Sequence, residues 1–352
     1  MVHRVLYLVA VPFRFARLIA SQSLLCVLFV LGPGSSRVHA GLFGSADIGT
    51  EEFQGLQIIS AARPAGLAWS YTALGDGVDA VGINPAGLAR ESARIFYGSL
   101  RYHPDLADAG EVAYSQPFGE EGRLAFSATY INFGTISYVD ENNQSLGEDL
   151  KPSSFYPVLT YARSQGDKWN WGASVKGALE DPGAFDGAQK AVGAGADAGI
   201  QYRPARNFGL GASVVNAGIK LRGHSLGETA GSGYLPGAFK AGTFFHPQGL
   251  EQMSIAVDAE LPFFNVPALA LGYEYRVIPE WDVRAGTRLD YNDIHNLLEW
   301  GGAIQSSELN GSAMKVAAGT SLHVGDFNVD FAEQWWTDLG FVSQLAVSWC
   351  MR

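Results

Sequence analysis

Residues 253–261 read Met-Ser-Ile-Ala-Val-Asp-Ala-Glu-Leu, and residues 269–277 read Leu-Ala-Leu-Gly-Tyr-Glu-Tyr-Arg-Val. In both stretches apolar residues occupy alternate positions. Successive side chains of a β-strand point to opposite faces, so this period predicts strands with one apolar and one polar face. A soluble β-sandwich is the alternative, but its polar faces would carry more Lys and Glu than these Gly-rich ones do. The pattern therefore favours an all-β fold, a transmembrane antiparallel β-barrel whose strands face lipid and lumen in turn.

The same alternation recurs from Arg94 onward and predicts about 14 strands, an even number, as bacterial barrels have. The connections alternate as well: residues 119–121 and 325 are tight, whereas residues 133–153 and 292–312 are long. Because such barrels combine short periplasmic turns with longer outer loops, both termini are expected in the periplasm. The predicted strands are residues 94–102, 110–118, 122–132, 154–163, 168–179, 191–203, 207–217, 237–246, 252–262, 268–277, 281–291, 313–324, 326–335 and 341–349.

The composition excludes other classes of protein. Of the 352 residues, 17% are charged, 12% are aromatic and 43 are Gly. So many aromatic residues exclude a disordered chain. Beyond the N-terminus no uncharged apolar run approaches the roughly 18 residues of a membrane helix, which excludes a bundle of transmembrane helices.

Residues 1–40 are predicted to be a signal peptide. Arg4, Arg14 and Arg17 precede a mostly apolar stretch, residues 18–31, and small residues lead up to Ala40. An uncleaved membrane anchor is the alternative. Cleavage removes four of the 24 basic and none of the 35 acidic residues, which leaves a net charge of −15 and argues against nucleic acid as a partner. It also removes one of the two cysteines, so the mature chain has no intrachain disulfide and no cysteine metal site.

The residues that precede the barrel, 41–93, do not alternate. The run from Arg63 to Ala89 contains Arg-Pro-Ala-Gly-Leu, Tyr-Thr-Ala-Leu-Gly-Asp and Asn-Pro-Ala-Gly-Leu-Ala. Asn84 followed by Pro85 is typical of an N-cap with proline at the first helical position, so a short helix is expected to begin there. Small neighbouring residues would let this segment fold compactly inside a lumen.

At these residues the chain resembles the PorV/PorQ family of outer-membrane proteins, which belongs with the FadL-like fatty-acid transporters. The resemblance implies that residues 41–93 form an N-terminal hatch inside the lumen and that residues 94–352 form the barrel. Two functions are attached to such proteins: passage of hydrophobic small molecules, and type IX secretion, in which secreted cargo is held or shuttled at the cell surface. The hatch motif comprises Arg63, Pro64, Gly66, Asp76, Asn84, Pro85, Ala86 and Gly87.

Charged residues fall on the polar faces of three consecutive predicted strands. Mixed charges there are expected to pair across strands and fill the interior; a selectivity or gating region beside the hatch is the alternative. This lumen polar cluster comprises Asp258, Glu260, Glu274, Arg276, Arg284 and Arg288, with Asp282 and Asp290 on the same faces.

No catalytic or metal site is expected. The only candidate nucleophile–base pair, Ser321 and His323, lies two apart on one face, a spacing too common to indicate catalysis. No His pair has metal-ligand spacing. Acidic residues at 140–141 and 148–149 could bind Ca²⁺, but a solvated loop is the simpler interpretation.

The sequence therefore predicts an outer-membrane β-barrel, not an enzyme and without a cofactor, that forms a hatch-gated conduit for hydrophobic or small solutes. Its expected partners are outer-membrane lipid and a hydrophobic small molecule. The alternative is a type IX secretion accessory protein, whose partners would be secretion-system or cargo proteins.

Overall fold

The fold is described from a computed structural model. It describes residues 51–104, 107–139, 144–183, 189–223, 233–300, 314–337 and 340–351. The predicted signal peptide, residues 41–50 and the acidic residues 140–141 lie outside this part of the chain. Among the described residues, no helix combines the length and the apolar character needed to cross a membrane.

Fourteen antiparallel strands form a closed barrel, which confirms the predicted fold class. Each strand pairs with its neighbours in the chain, and the first strand closes the ring on the last: Arg94 lies opposite Met351 and Tyr102 opposite Ser343. Two further strands, β4 and β5, form a separate sheet. The strands are β1 (Arg94–Tyr102), β2 (Asp108–Phe118), β3 (Gly122–Asn132), β4 (Ile136–Val139), β5 (Ser145–Leu150), β6 (Ser153–Gln165), β7 (Trp169–Asp181), β8 (Ala191–Ala205), β9 (Phe208–Arg222), β10 (Ala238–Phe245), β11 (Met253–Pro262), β12 (Ala268–Ile278), β13 (Trp281–Asp290), β14 (Lys315–Val324), β15 (Phe327–Trp336) and β16 (Gly340–Met351).

The two faces of the strands differ as the alternation predicts. On β12, Leu271 and Tyr273 are exposed, whereas Gly272 and Glu274 are buried. On β7, Val175 is exposed and its neighbours Ser174 and Lys176 are buried. The outer surface is thus apolar, and the polar side chains face the interior. Because the ring is closed, no strand of the barrel leaves an unpaired edge.

Two elements lie in stretches that were predicted to be loops. The β4–β5 hairpin occupies part of the long connection after β3, and helix α2 (Tyr291–Trp300) follows β13 directly. The sequence carried a signal for this helix: Asp293 N donates to Asp290 Oδ1 at 2.9 Å and Asp290 N to Asp293 Oδ2 at 3.0 Å. This reciprocal pairing resembles a capping box, which marks the first turn of a helix.

Residues 51–93, here called the N-terminal segment, contain short helices joined by tight turns. They are the α-helix α1 (Ala62–Gly66) and 3-10 helices at Gln54–Gln57, Val78–Ala80 and Pro85–Arg90. The predicted helix start is confirmed, because Asn84 Oδ1 accepts a hydrogen bond from Ala86 N at 3.1 Å. That helix is a 3-10 helix, whose tight turns are common in short connecting pieces.

Inward-facing glycines allow the N-terminal segment to lie directly on strand backbone. A Cβ atom added to Gly172 would lie 2.5 Å from the carbonyl carbon of Pro85, and one added to Gly286 would lie 2.5 Å from that of Leu67. Real Cβ atoms do not approach so closely, so the contact requires glycine. An added Cβ atom would lie within 2.5 Å of a segment atom at five inward-facing glycines and 3.1 Å from one at Gly242 and Gly319. We call these seven the glycine belt: Gly172, Gly199, Gly211, Gly242, Gly272, Gly286 and Gly319, on β7 to β10 and β12 to β14.

Candidate functional site

Arg63 is the centre of a charged network between the N-terminal segment and the barrel wall. Its guanidinium donates from Nε and Nη2 to the two carboxylate oxygens of Glu274, at 3.1 and 3.2 Å, and it also pairs with Asp76. Such two-pronged pairing fixes orientation as well as charge. Glu274 accepts a third bond, 2.6 Å, from Arg284 Nε. One carboxylate on β12 therefore joins the segment to β13.

The network continues along the wall beyond Glu274. Arg284 Nη1 donates to Ser321 Oγ at 2.6 Å and lies 3.3 Å from Asp330 Oδ1. These side chains are buried and come from β13, β14 and β15. Glu274 and Arg284 lie opposite each other in the β12–β13 register. Glu274 and Arg284 of the lumen polar cluster thus pair across strands, and the segment supplies a further partner, Arg63.

Asp258 and Asn84 attach the middle of the segment to other strands. Asp258 Oδ2 on β11 accepts from the backbone N–H groups of Tyr71 and Thr72, at 2.9 and 2.7 Å. Asn84 is fully buried, and its Nδ2 donates to the carbonyls of Thr72 at 2.8 Å and Ile200 at 3.2 Å. A buried amide with all these bonds satisfied holds one geometry, because loss of a partner would leave a buried polar group unpaired.

Bonds to later strands complete the attachment. Gln334 Nε2 on β15 donates to the carbonyl of Ala65 at 2.9 Å, and Gln344 Nε2 on β16 donates to that of Ile59 at 3.1 Å. Ser213 Oγ on β9 donates to the carbonyl of Ile83 at 2.7 Å. The partners thus lie on inward faces around the ring.

The remaining residues of the hatch motif and of the lumen polar cluster lie in three different surroundings. Pro64 is buried in α1, and Gly66 meets the backbone of Gly319 on β14. A Cβ atom on Gly87 would lie 2.6 Å from that of Ala80, within the segment itself. Arg276 lies apart: its side chain is 57% exposed and pairs at 3.0 Å with Asp282 beside the tight β12–β13 turn. It reaches the network around Arg63 only through Asp282, whose Oδ2 lies 3.9 Å from Arg284 Nη2.

A cavity of about 250 Å³ lies between the segment and the ends of β1, β15 and β16 at the tight connections. Asp76, Asp79, Glu91 and Asp330 contribute acidic groups to its lining. Burial raises the pKa of Asp79 to about 8, although nearby Arg63 opposes the shift. Asp79 Oδ2 accepts a hydrogen bond from the Tyr71 hydroxyl at 3.1 Å.

A larger cavity of about 600 Å³ lies on the opposite side of the segment, towards the long connections. Lys240 and Arg288 both pair with Glu260 in its wall, at 2.6 and 2.7 Å. Arg288 and Glu260 belong to the lumen polar cluster. This cavity has the volume of pockets that hold drug-sized ligands.

Two indole rings and two cations form one end of this larger cavity, here called the cationic end. Trp69 of the segment and Trp336 of β15 meet edge to face, with ring centroids 6.1 Å apart. Lys315 Nζ lies 4.0 Å from the Trp336 centroid and 5.0 Å from that of Trp69. The guanidinium carbon of Arg101 lies 5.5 Å from the Trp336 ring. Cations at such distances are attracted to the ring faces.

Sequence reasoning missed the cationic end. In the sequence, Trp169, Trp171, Trp281, Trp335, Trp336 and Trp349 lie close to the ends of predicted strands. That position is typical of rings at the membrane interface, with ordinary β-propensity as the alternative interpretation. The interface interpretation is wrong for Trp336, which faces inward with Gln334, whereas Trp335 is exposed. The period of two contained this signal, because adjacent residues cannot share a face. The alternation also predicts that the side chains of Lys315 and Arg101 face inward. That both lie beside Trp336, however, depends on the register between strands.

The described ranges contain no group of three or more His, Cys, Asp or Glu side chains that could hold a metal ion. Residues 140–143 of the acidic loop lie outside those ranges, so the Ca²⁺ alternative there remains a sequence prediction.

The fold is shared with known barrels. No protein-family model describes the chain, and no curated protein matches its sequence. The CymD monoaromatic hydrocarbon channel aligns with a TM-score of 0.58 and 13% identity, over 84% of this chain and 98% of CymD. The Pseudomonas putida toluene transporter TodX aligns with a TM-score of 0.57 and 14% identity, over 82% of this chain and 96% of TodX. A Pseudomonas aeruginosa FadL homologue gives 0.52 and 13%, over 83% and 98%. At these identities the likeness defines the fold, a FadL-like barrel.

Proposed function

We propose that this chain is an outer-membrane conduit for hydrophobic or small solutes, closed by its N-terminal segment. The observation that carries the proposal is the pair of cavities on opposite sides of that segment, one towards the long connections and one towards the tight turns. A solute that moved from the first to the second would have to displace the segment. The names of the barrels with a similar fold, a hydrocarbon channel and a toluene transporter, support this function.

The membrane part of the proposal rests on the outer surface. Large apolar side chains such as Leu100, Val175 and Val324 are more than half exposed, and they follow one another around a closed ring. Lipid is the partner that suits such a surface, because water would leave a large apolar area unburied. Within this proposal residues 1–40 direct export, residues 94–352 span the outer membrane, and both termini face the periplasm.

The segment would act as a hatch of residues 41–93. Opening at Asn84-Pro85-Ala86 would break the bonds from Asn84 to Thr72 and Ile200, whereas the Arg63–Glu274 pair would hold the first part of the segment in place. Movement of the part near Asn84 therefore costs fewer charged contacts than release of the whole segment. We accordingly place the gate at Asn84 rather than at Arg63.

Liposome uptake of a hydrophobic solute tests the conduit. Deletion of residues 41–93 should raise solute uptake and ionic conductance. Because the deletion could impair folding, Asn84→Ala provides a second variant that loosens the gate and retains the segment. Asn132→Ala, an exposed change at the end of β3, serves as the control. An unchanged leak in both hatch variants would contradict the gating role, and absence of uptake by the intact protein would contradict the conduit.

Membership of the PorV/PorQ family and the type IX secretion alternative rest on the N-terminal motif alone, and they stay predictions. Deletion of the long connections separates the alternatives. Loss of secretion with solute uptake intact would favour docking of cargo proteins, and the reverse result would favour the conduit.

A further inference from the structure

The charged side chains that line the larger cavity are unevenly distributed. At its cationic end, Lys315 forms no ion pair with any carboxylate in the described part of the chain. Its neighbours there are the two indole rings and the guanidinium groups of Arg101 and Arg288. Arg288 is already paired with Glu260, and Arg101 donates to the carbonyl of Ala107 at 3.3 Å. Lys315 is thus an amine without an ion-pair partner, and the carboxylates of Glu260 and Asp290 act on it only from a distance.

The opposite side of the same cavity contains an acid with a free oxygen. Glu51 is 7% exposed, and its Oε1 accepts from Gln57 Nε2 at 3.2 Å. Its Oε2 is buried and has no hydrogen-bond partner among the described residues. A buried carboxylate oxygen left without a partner costs free energy, of the order of 1–3 kcal/mol. Glu51 Oε2 is therefore a free acceptor for a hydrogen-bond donor of a ligand.

The two groups lie on different sides of the lumen. The residue after Glu51 bonds to the carbonyl of Tyr234 beside β10, and that part of the lining is shared with Val215 and Asn216 on β9. Lys315 and Trp336 belong to β14 and β15, and four strands lie between β14 and β9 in the ring. The cavity of about 600 Å³ extends between these walls.

We infer that this cavity binds a zwitterion with an apolar body, of the short-peptide class, with its carboxylate at Lys315 and its ammonium at Glu51. The indole faces of Trp69 and Trp336 would cover the apolar part. A simple organic acid would leave the Glu51 oxygen unpartnered, and a neutral hydrocarbon would leave both Glu51 and Lys315 without a partner. The inference deepens the proposed conduit and rests on it, since the bound zwitterion would be the solute that passes.

Four forms of one dipeptide, Phe-Phe, test the inference: with free termini, N-acetylated, C-amidated, and blocked at both ends. Binding to the full mature protein in nanodiscs is measured by calorimetry. We expect the free dipeptide to bind at least tenfold more tightly than either singly charged form, and the doubly blocked form to bind most weakly. Equal or tighter binding of the N-acetylated or the blocked form would overturn the inference, as would the absence of binding by all four.

Two variants identify the ends of the site. Glu51→Gln should abolish the preference for the free over the N-acetylated dipeptide, and Lys315→Gln should abolish the preference over the amide. The controls are Glu121→Gln and Arg163→Gln, which make the same charge changes at an exposed pair by the tight β2–β3 turn. If the preferences survive Glu51→Gln and Lys315→Gln, the assignment of the two ends is wrong.

The proposed conduit and the proposed zwitterion site can be contradicted by different results. Uptake of an apolar solute by proteoliposomes without dipeptide binding would overturn the zwitterion site and leave the conduit intact. Tight dipeptide binding without uptake of any solute would overturn the conduit and leave a binding site.

Discussion

Two regions beside the N-terminal segment, the network around Arg63 and the cationic end of the larger cavity, use charge in opposite ways. In the network, Arg63 pairs with Glu274 and Asp76, and Arg284 pairs with Glu274 and Asp330. At the cationic end, Lys315 contacts two indole rings and forms no ion pair with a carboxylate in the described part of the chain. In the first region the cations find their ion-pair partners within the protein. In the second region Lys315 has no ion-pair partner and is available to an anionic group of a ligand.

This difference indicates that ion pairs hold the segment against the barrel wall, whereas the contacts of Lys315 contribute little. Removal of one partner from a buried ion pair leaves an uncompensated charge and is strongly destabilising. Removal of a cation that has no ion-pair partner leaves no such charge behind. Substitutions in the two regions should therefore differ in their effect on the free energy of unfolding.

Glu274→Ala should produce the largest loss. It removes the carboxylate between Arg63 and Arg284, and loss of one partner of a buried pair costs about 3–5 kcal/mol. Urea unfolding in lipid vesicles measures the change in free energy of unfolding. The exposed pair of Glu121 and Arg163 provides the control, because Arg163→Gln should change stability by less than about 1 kcal/mol. An equal effect of the two substitutions would remove the contrast.

Asn84→Ala should come next. It removes two donated bonds and the helix cap, and with the buried carbonyls left behind we expect a cost of about 2–3 kcal/mol. The loss should be local. Hydrogen exchange followed by mass spectrometry should show faster exchange at residues 72–88 and unchanged exchange in the barrel strands. Faster exchange throughout the barrel would mean that Asn84 supports the whole fold rather than the segment.

Gly172→Ala sharpens the comparison without any change of charge. The new Cβ would meet the Pro85 carbonyl carbon at 2.5 Å, and overpacking of this kind costs about 1–3 kcal/mol. Gly98→Ala on β1 is the matched control, since its nearest neighbour would lie 3.9 Å away. Limited proteolysis of the segment measures the effect. Equal protection in the two variants would show that the glycine belt does not determine how closely the segment lies on the wall.

Lys315→Met should have the smallest effect on stability. Each cation–π interaction that the substitution removes stabilises the fold by about 0.5–1 kcal/mol at exposed sites, and relief from burying an uncompensated charge offsets that term. Urea unfolding should therefore show a change of less than about 1 kcal/mol in either direction. A loss comparable to that of Glu274→Ala would mean that Lys315 belongs to the structural network after all.

The barrel could be predicted because alternation is a local property. All fourteen barrel strands occur where the period of two places them, and the Asn84 cap depends on two adjacent residues. Strand ends were less accurate: β9 was predicted to end at residue 217 and continues to Arg222. Nothing in the local pattern marks that end, because pairing with β8 continues through register shifts between Ala196 and Ala198 and between Val192 and Gly193.

The site was harder to predict because its contacts join distant residues. The sequence identified Arg63 and Glu274 separately, yet their pairing depends on the position of α1 against β12. The glycine belt was visible only as a high glycine content, since alignment of its members requires the register of eight strands. Helix α2 was missed although its Asp290 and Asp293 were close in sequence; the long connection was assumed to be irregular.

The distances along the chain between the segment and its partners set an order of events during assembly. Ala65 bonds to a residue 269 positions later, and Ile59 to one 285 positions later. Closing such long loops early would carry a large entropic penalty, whereas neighbouring strands can pair through short turns. The N-terminal segment, which precedes the barrel strands in the chain, is thus among the last parts to reach its place. Until β15 and β16 complete the ring, the segment lacks its partners on those strands, and the glycine belt is uncovered backbone.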